Sequence, residues 1–204
     1  MENIKDIIDK IYNQILLNID KRIILLRNKQ VIQWIFDDLT FLSLYVGTNK
    51  NNEDEWGRNL LKVFNPKLKV NKQWTHAIGE QLCRELILLD GFEYSNPCKK
   101  DHYKPDVEDN NYIWEVKTQT YYTSGTAGEK ILGCPFKYAE VPKLYCKPLK
   151  ILCIGGAEKI CRNSYGNLKG IKNTKIKQKF IDFFKSQCIE FIGATDILKL
   201  LITN

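Results

Sequence analysis

The chain has 204 residues, enough for one core domain of ordinary size with an appended subdomain. An apolar share of 44% with 27% charged residues is globular composition and excludes a disordered or fibrous chain. The net charge of +7 suits an anionic partner, or a merely solvated basic surface. The seven cysteines are odd in number, form no C-x-x-C pair and stand away from His76 and His102, which argues against a disulfide scaffold or a zinc finger. Free thiols point to a reducing compartment. Met1 to Asp6 is not a signal peptide, and no apolar run reaches the length of a membrane span. The expectation is a soluble, cytoplasmic protein with no membrane contact.

Residues 1 to 46 contain neither Gly nor Pro. Ile4, Ile7, Ile8, Ile11, Ile15 and Ile19 recur at helical steps, and Val31, Ile32, Ile35, Phe36, Leu39 and Leu42 form a second apolar set. Two or three helices are expected, in an N-terminal helical subdomain over residues 1–70. Gly47 to Gly57 reads as a polar break, and Trp56 to Phe64 as a short helix stopped by Pro66. No chemistry is apparent in this region.

A second unit is expected over residues 71–204. It opens with a helix from Thr75 to Asp90, with Thr75 as N-cap and Gly91 as the stop. Ile78, Leu82, Leu86 and Leu89 form its main stripe, and Glu80 lies on the opposite side with Cys83 and Ile87. Phe92 to Ser95 is a short strand. Asp109-Asn110-Asn111 is a hairpin signal between two extended segments.

The most informative stretch is Tyr103 to Gln119. In the strand Tyr112 to Gln119, Glu115, Lys117 and Gln119 share one face while Trp114, Val116 and Thr118 take the other. Charges near the centre of a sheet persist only when paired or bound to metal, so this face is a candidate site.

Beyond it, Thr123 to Gly128 is a loop of small residues, and Glu129 to Tyr145 reads as helix in pieces. Small residues at a helix start allow close backbone approach to phosphate, which makes Ser124, Thr126 and Lys130 candidate contacts. Ile151 to Ile154 is a buried strand bounded by Gly155-Gly156. Lys175 to Gln187 is a helix with Ile176, Phe180, Ile181 and Phe184 inward. Ile189 to Ile192 is the last strand, and Thr195 caps a terminal helix, Asp196 to Ile202. A crossover helix between the last two strands favours their parallel pairing.

Pro105-Asp106 followed by Glu115-Val116-Lys117 resembles the PD-(D/E)xK nuclease superfamily. The order of helix, three strands, helix, strand, helix, strand is its αβββαβ core with one more strand added. The resemblance covers Thr75 to Ile202, and the run G-T-A-G-E-K-I-L-G with K-Y-A-E-V-P-K-L-Y-C-K-P-L looks like type II restriction endonucleases. It implies an α/β fold with a mixed sheet of about five strands flanked by helices. It also implies a Mg2+-dependent endonuclease that cuts double-stranded DNA at a short specific site, working as a homodimer. Asp106, Glu115 and the Val116 carbonyl would hold the metal. Lys117 would position water or hold charge, and Glu80 would be a third carboxylate.

The segment 137–179 has eleven basic residues against Glu140 and Glu158, as a DNA-binding region requires. Arg162, Asn163, Tyr165, Asn167, Lys169 and Lys172 can read bases or touch phosphates, and Gln119 can contact phosphate or water. Two alternatives share these residues: a structure-specific repair or junction-resolving nuclease, and a non-catalytic DNA-binding module on a nuclease-like core.

Overall fold

The computed structural model describes residues 3–64, 66, 73–123 and 127–203. The proposed boundary at residue 70, and Ser124 and Thr126, lie outside them.

The architecture is α/β, built on one five-stranded mixed sheet in the order β1-β2-β3-β4-β5. The strands are β1 (Tyr94–Ser95), β2 (Val107–Asp109), β3 (Ile113–Gln119), β4 (Leu149–Gly155) and β5 (Ile189–Gly193). The first three pair antiparallel; β3, β4 and β5 pair parallel. The hairpin between β2 and β3 is closed by Asp109, as its polar turn suggests. Its carboxylate accepts from the N–H groups of Asn111 and Tyr112 and from Trp114 Nε1 at 2.6 to 2.7 Å. The run expected at 151–154 is the centre of β4, where only Lys150 is not fully buried.

Helices cover both faces. Before the sheet come α1 (Ile4–Leu17), α2 (Lys29–Ile35), α3 (Leu39–Phe41, continued by a π turn), α4 (Lys50–Phe64) and α5 (Trp74–Leu89). Between β3 and β4 stand α6 (Ala127–Leu132), α7 (Cys134–Lys137) and α8 (Val141–Tyr145), the broken helix that Gly133, Pro135 and Pro142 foretell. Then come α9 (Gly156–Ile160, followed by a π turn), α10 (Lys175–Ser186) and α11 (Ala194–Leu200). Among the described residues, no helix is long and apolar enough to cross a membrane.

One apolar cluster runs from Ile8 through α5 to Trp114, Leu152, Ile154 and Leu198. A second, on the other face of the sheet, joins Ile113, Ile151 and Cys153 to Cys134, Tyr138 and Ala157. The N-terminal helices thus share their core with α5 and the sheet. Buried Glu85 fastens them there: its carboxylate accepts from the N–H groups of Leu25 and Leu26 at 3.0 and 2.9 Å.

Several expectations shift. α1 ends at Leu17, leaving Ile19 exposed, because Asn18 and Asp20 hydrogen-bond the local backbone in place of another helical turn. The supposed break at Gly47 to Gly57 is mostly helix. α4 begins at Lys50, buries Glu53, Gly57 and Leu61 on one side, and presents its charges on the other. α5 starts at Trp74, with Gln73 ahead of it and no side-chain cap, so Thr75 is not the cap. Thr195 lies inside α11 and instead binds the buried Glu158 carboxylate. On α10, Ile176 and Phe180 point to solvent, 70% and 62% exposed, while Ile181 and Phe184 are half-buried. The helix spans the edge above β5 and reaches the core through a narrow stripe.

Gly79 sets how closely α5 lies on β3. A Cβ there would overlap Thr118 Oγ1 and stand 3.1 Å from Val116 Cγ1. This close approach brings the next residue, Glu80, to the cleft lined by the end of β3. Gly79→Ala is expected to push helix and strand apart and to cost about 1 to 3 kcal/mol, read as a lower urea midpoint.

Candidate active site

A cleft of about 850 Å³ opens where α4, α5, β3 and the α6–α7 pair meet. Asp106 and the end of β3, Val116 to Gln119, lie in it. α5 contributes His76 and Glu80, α4 contributes Lys50, Asp54 and Arg58, and the far wall carries Lys130, Cys134 and Lys137.

Of the sequence-predicted acids, Asp106 and Glu80 line this cleft and Glu115 does not. Asp106 sits just ahead of β2, where its N–H donates to Trp114 O at 3.1 Å. Its Oδ2 accepts from Val116 N at 2.7 Å, which fixes the carboxylate beside β3. Burial and then the Glu115 charge push the Asp106 carboxyl up to about 6, against the opposing pull of the Val116 N–H and Lys117. Glu80 adds to that repulsion.

Glu115 is 4% exposed, on the face opposite α5. Its Oε1 accepts from Lys117 Nζ, the next side chain on the same face, and its Oε2 is buried with no hydrogen-bond partner. Burial pushes the Lys117 ammonium down, but Glu115, Cys134 and Asp106 more than reverse it, so its pKa lies above the ordinary lysine value. Lys117 is thus favoured as a cation beside Glu115. Tyr138 closes this pocket. Burial and then the Glu115 charge push its hydroxyl well up. Burial also raises the neighbouring Cys134 thiol, to about 11, so it is no nucleophile.

Glu80 lies 3.0 Å from His76 Nδ1 and 3.1 Å from Arg84. His76, Glu80 and Asp106 offer ligand atoms all within 4.8 Å of one another. Sequence reading overlooked His76, although its place four residues before Glu80 puts both on one helix face. It also overlooked α4. Among the described residues Arg58 and Lys130 have no ion-pair or hydrogen-bond partner, so the cleft has an acidic floor and a partly cationic rim.

The remaining expected contacts disperse. Gln119 lines the cleft and is 7% exposed, its Oε1 buried without a partner. Lys130 is on the rim. Arg162, Asn163, Tyr165, Asn167, Lys169 and Lys172 do not line it. Arg162 is engaged internally with Glu158 and Asp196, at 2.8 and 2.7 Å, and with the Lys169 carbonyl at 2.7 Å. Asn167 is buried, and Asn163, Lys169 and Lys172 are exposed. The cations of 137–179 are also spread. Lys137 reaches the cleft, Lys147 pairs with Glu108, Lys150 covers the Tyr112 ring, and Lys159 pairs with Asp37.

Compared with known proteins, the chain matches no family, no curated protein and no solved structure. The cleft and its side chains therefore carry the functional reading.

Proposed function

We propose that the protein is a Mg2+-dependent endonuclease with a PD-(D/E)xK-type core, acting on double-stranded DNA as type II restriction enzymes do. The convergence of Asp106, Glu80 and Lys117 on one cleft from three separate elements, with the Glu115 charge acting on Asp106, supports this reading. Repelling carboxylates kept together at such cost suit a cation. The donor set fits Mg2+: carboxylate oxygens of Asp106 and Glu115, the first already raised in pKa and the second with a buried orphan oxygen, plus the Val116 carbonyl. A cation held there supplies Lewis acidity to a phosphate oxygen and acidifies the attacking water.

The chain's own groups do the rest. Lys117, held protonated beside Glu115, stabilises the negative charge that develops on the phosphoryl oxygens. Glu80 orients the water or takes part in a second metal position. Arg58, Lys130 and Lys137 are placed to hold the phosphates of a strand lying along the cleft. The fold is proposed to be the αβββαβ restriction-endonuclease core. The homodimer belongs to the same proposal, since a two-fold protein would read a palindromic site.

Unmethylated plasmid incubated with the protein, with and without Mg2+, tests this beside Lys117→Ala. Discrete metal-dependent fragments, missing for the variant, are expected. A smear, or cutting of branched DNA alone, would select a junction or repair nuclease. Tight DNA binding with no cutting under any divalent cation would select a non-catalytic module.

A further inference from the structure

We propose that His76 is a direct ligand of the cleft's cation, making the site a mixed imidazole–carboxylate site that holds Mn2+ more tightly than Mg2+. The inference rests on reading the cleft as a cation site. It adds a ligand, and a metal preference, that the Asp106–Glu115 pair does not supply.

The geometry comes from α5. His76 and Glu80 are one helical turn apart, and Gly79 brings that turn down onto β3 beside Asp106. His76 Nδ1 already stands 3.0 Å from Glu80 Oε1, close to the roughly 3 Å that separates neighbouring ligands around an octahedral ion with bonds of about 2.1 Å. The widest separation in the trio is within 4.8 Å. The His76 side chain is 66% exposed, so a rotamer change can close that gap without disturbing the core. Asp106, by contrast, is pinned by the Val116 N–H, and Glu80 by Arg84. Two anchored carboxylates and one mobile imidazole therefore surround the same point.

The chemistry sets the preference. Mg2+ sheds water reluctantly and prefers oxygen, so an imidazole nitrogen adds little to its binding. Mn2+ accepts nitrogen and oxygen donors together. Removing His76 should thus separate the two ions, whereas removing Asp106 should weaken both.

Calorimetric titration of metal-stripped protein with Mn2+ and with Mg2+, in wild type and His76→Ala, reads this without any DNA present. Mn2+ affinity is expected to fall about 10-fold or more in the variant, with Mg2+ affinity nearly unchanged. Electron spin-echo spectroscopy of bound Mn2+ gives a direct second readout. Nitrogen coupling is expected in the wild type and lost in His76→Ala; His102, the other histidine, packs on Tyr103. Unchanged Mn2+ affinity with no nitrogen coupling would overturn the proposal and leave His76–Glu80 a helix-surface pair. Failure of the wild type to bind either ion would overturn it as well. DNA cutting by His76→Ala at the wild-type rate, with nitrogen coupling absent in both, would sink the ligand and spare the nuclease reading. Nitrogen coupling in a protein that cuts no DNA would do the reverse.

Discussion

Asp106→Asn is expected to melt roughly 5 °C or more above the wild type when both are stripped of divalent cations at pH 7.5, and to cut DNA at least about 10³-fold more slowly in Mg2+. The two effects have one origin. Burial and the Glu115 charge lift the Asp106 carboxyl to about 6 in the folded chain, against about 3.9 when unfolded. A carboxyl with a raised folded pKa contributes its stability in full below pH 4 and loses it as pH climbs through 6. Above that pH the ionised group costs on the order of 2 to 3 kcal/mol, a penalty that Asn does not carry. At pH 4 the two proteins should therefore melt close together. Mg2+ reverses the order at pH 7.5, because only the wild type gains from binding it. Melting curves of both proteins at the two pH values, with chelator and with Mg2+, check the three statements on stability, and cleavage rates in Mg2+ check the fourth.

Glu53→Ala is expected to cost about 3 to 5 kcal/mol, a large part of the stability of an ordinary domain. Glu53 is wholly buried on α4. Its carboxylate accepts from Trp34 Nε1 at 2.8 Å and from the N–H groups of Tyr121 and Tyr122 at 2.9 and 3.3 Å. Truncation leaves one buried and two part-buried donors without their acceptor, and a cavity beside the Trp34–Trp74 ring contact. Burial raises the carboxyl of Glu53, so the charge is itself costly and the hydrogen bonds are what hold it. Glu53→Gln, which keeps an acceptor and fills the space, should fall between. Tyr121 and Tyr122 follow the end of β3 after Thr120, and Thr120 and Thr123 line the cleft. Cutting should therefore weaken along with stability, and urea melts beside cleavage rates would show both.

The sheet and much of its order were legible because their signals are local. Alternation over 112–119, the polar turn closed by Asp109, and the apolar run of β4 each follow from strand periodicity. Pro105-Asp106 and Glu115-x-Lys117 marked the cleft because charges on the face of a central strand are costly to bury unless something binds them. What escaped depends on contacts remote in sequence. The first half of α4 reads as a polar break, with helix expected only from Trp56, and only the packed structure shows Gly57 against the Trp74 ring and Glu53 beneath Tyr121. Arg162 looked free to read bases, but Glu158 and Asp196 from different elements hold it. Ile176 and Phe180 fit an inward stripe by spacing, and nothing local reveals that α10 meets the core through Phe184 instead.

The most direct measurement is the single-turnover rate of phosphodiester hydrolysis in labelled duplex DNA, with protein in excess, in Mg2+ and in chelator. The proposed site, Asp106, Lys117 and Glu80 in the cleft with Glu115 beside Lys117, predicts strand scission in Mg2+ and none in chelator. Scission at the same rate in chelator, or no scission with any divalent cation, would contradict it.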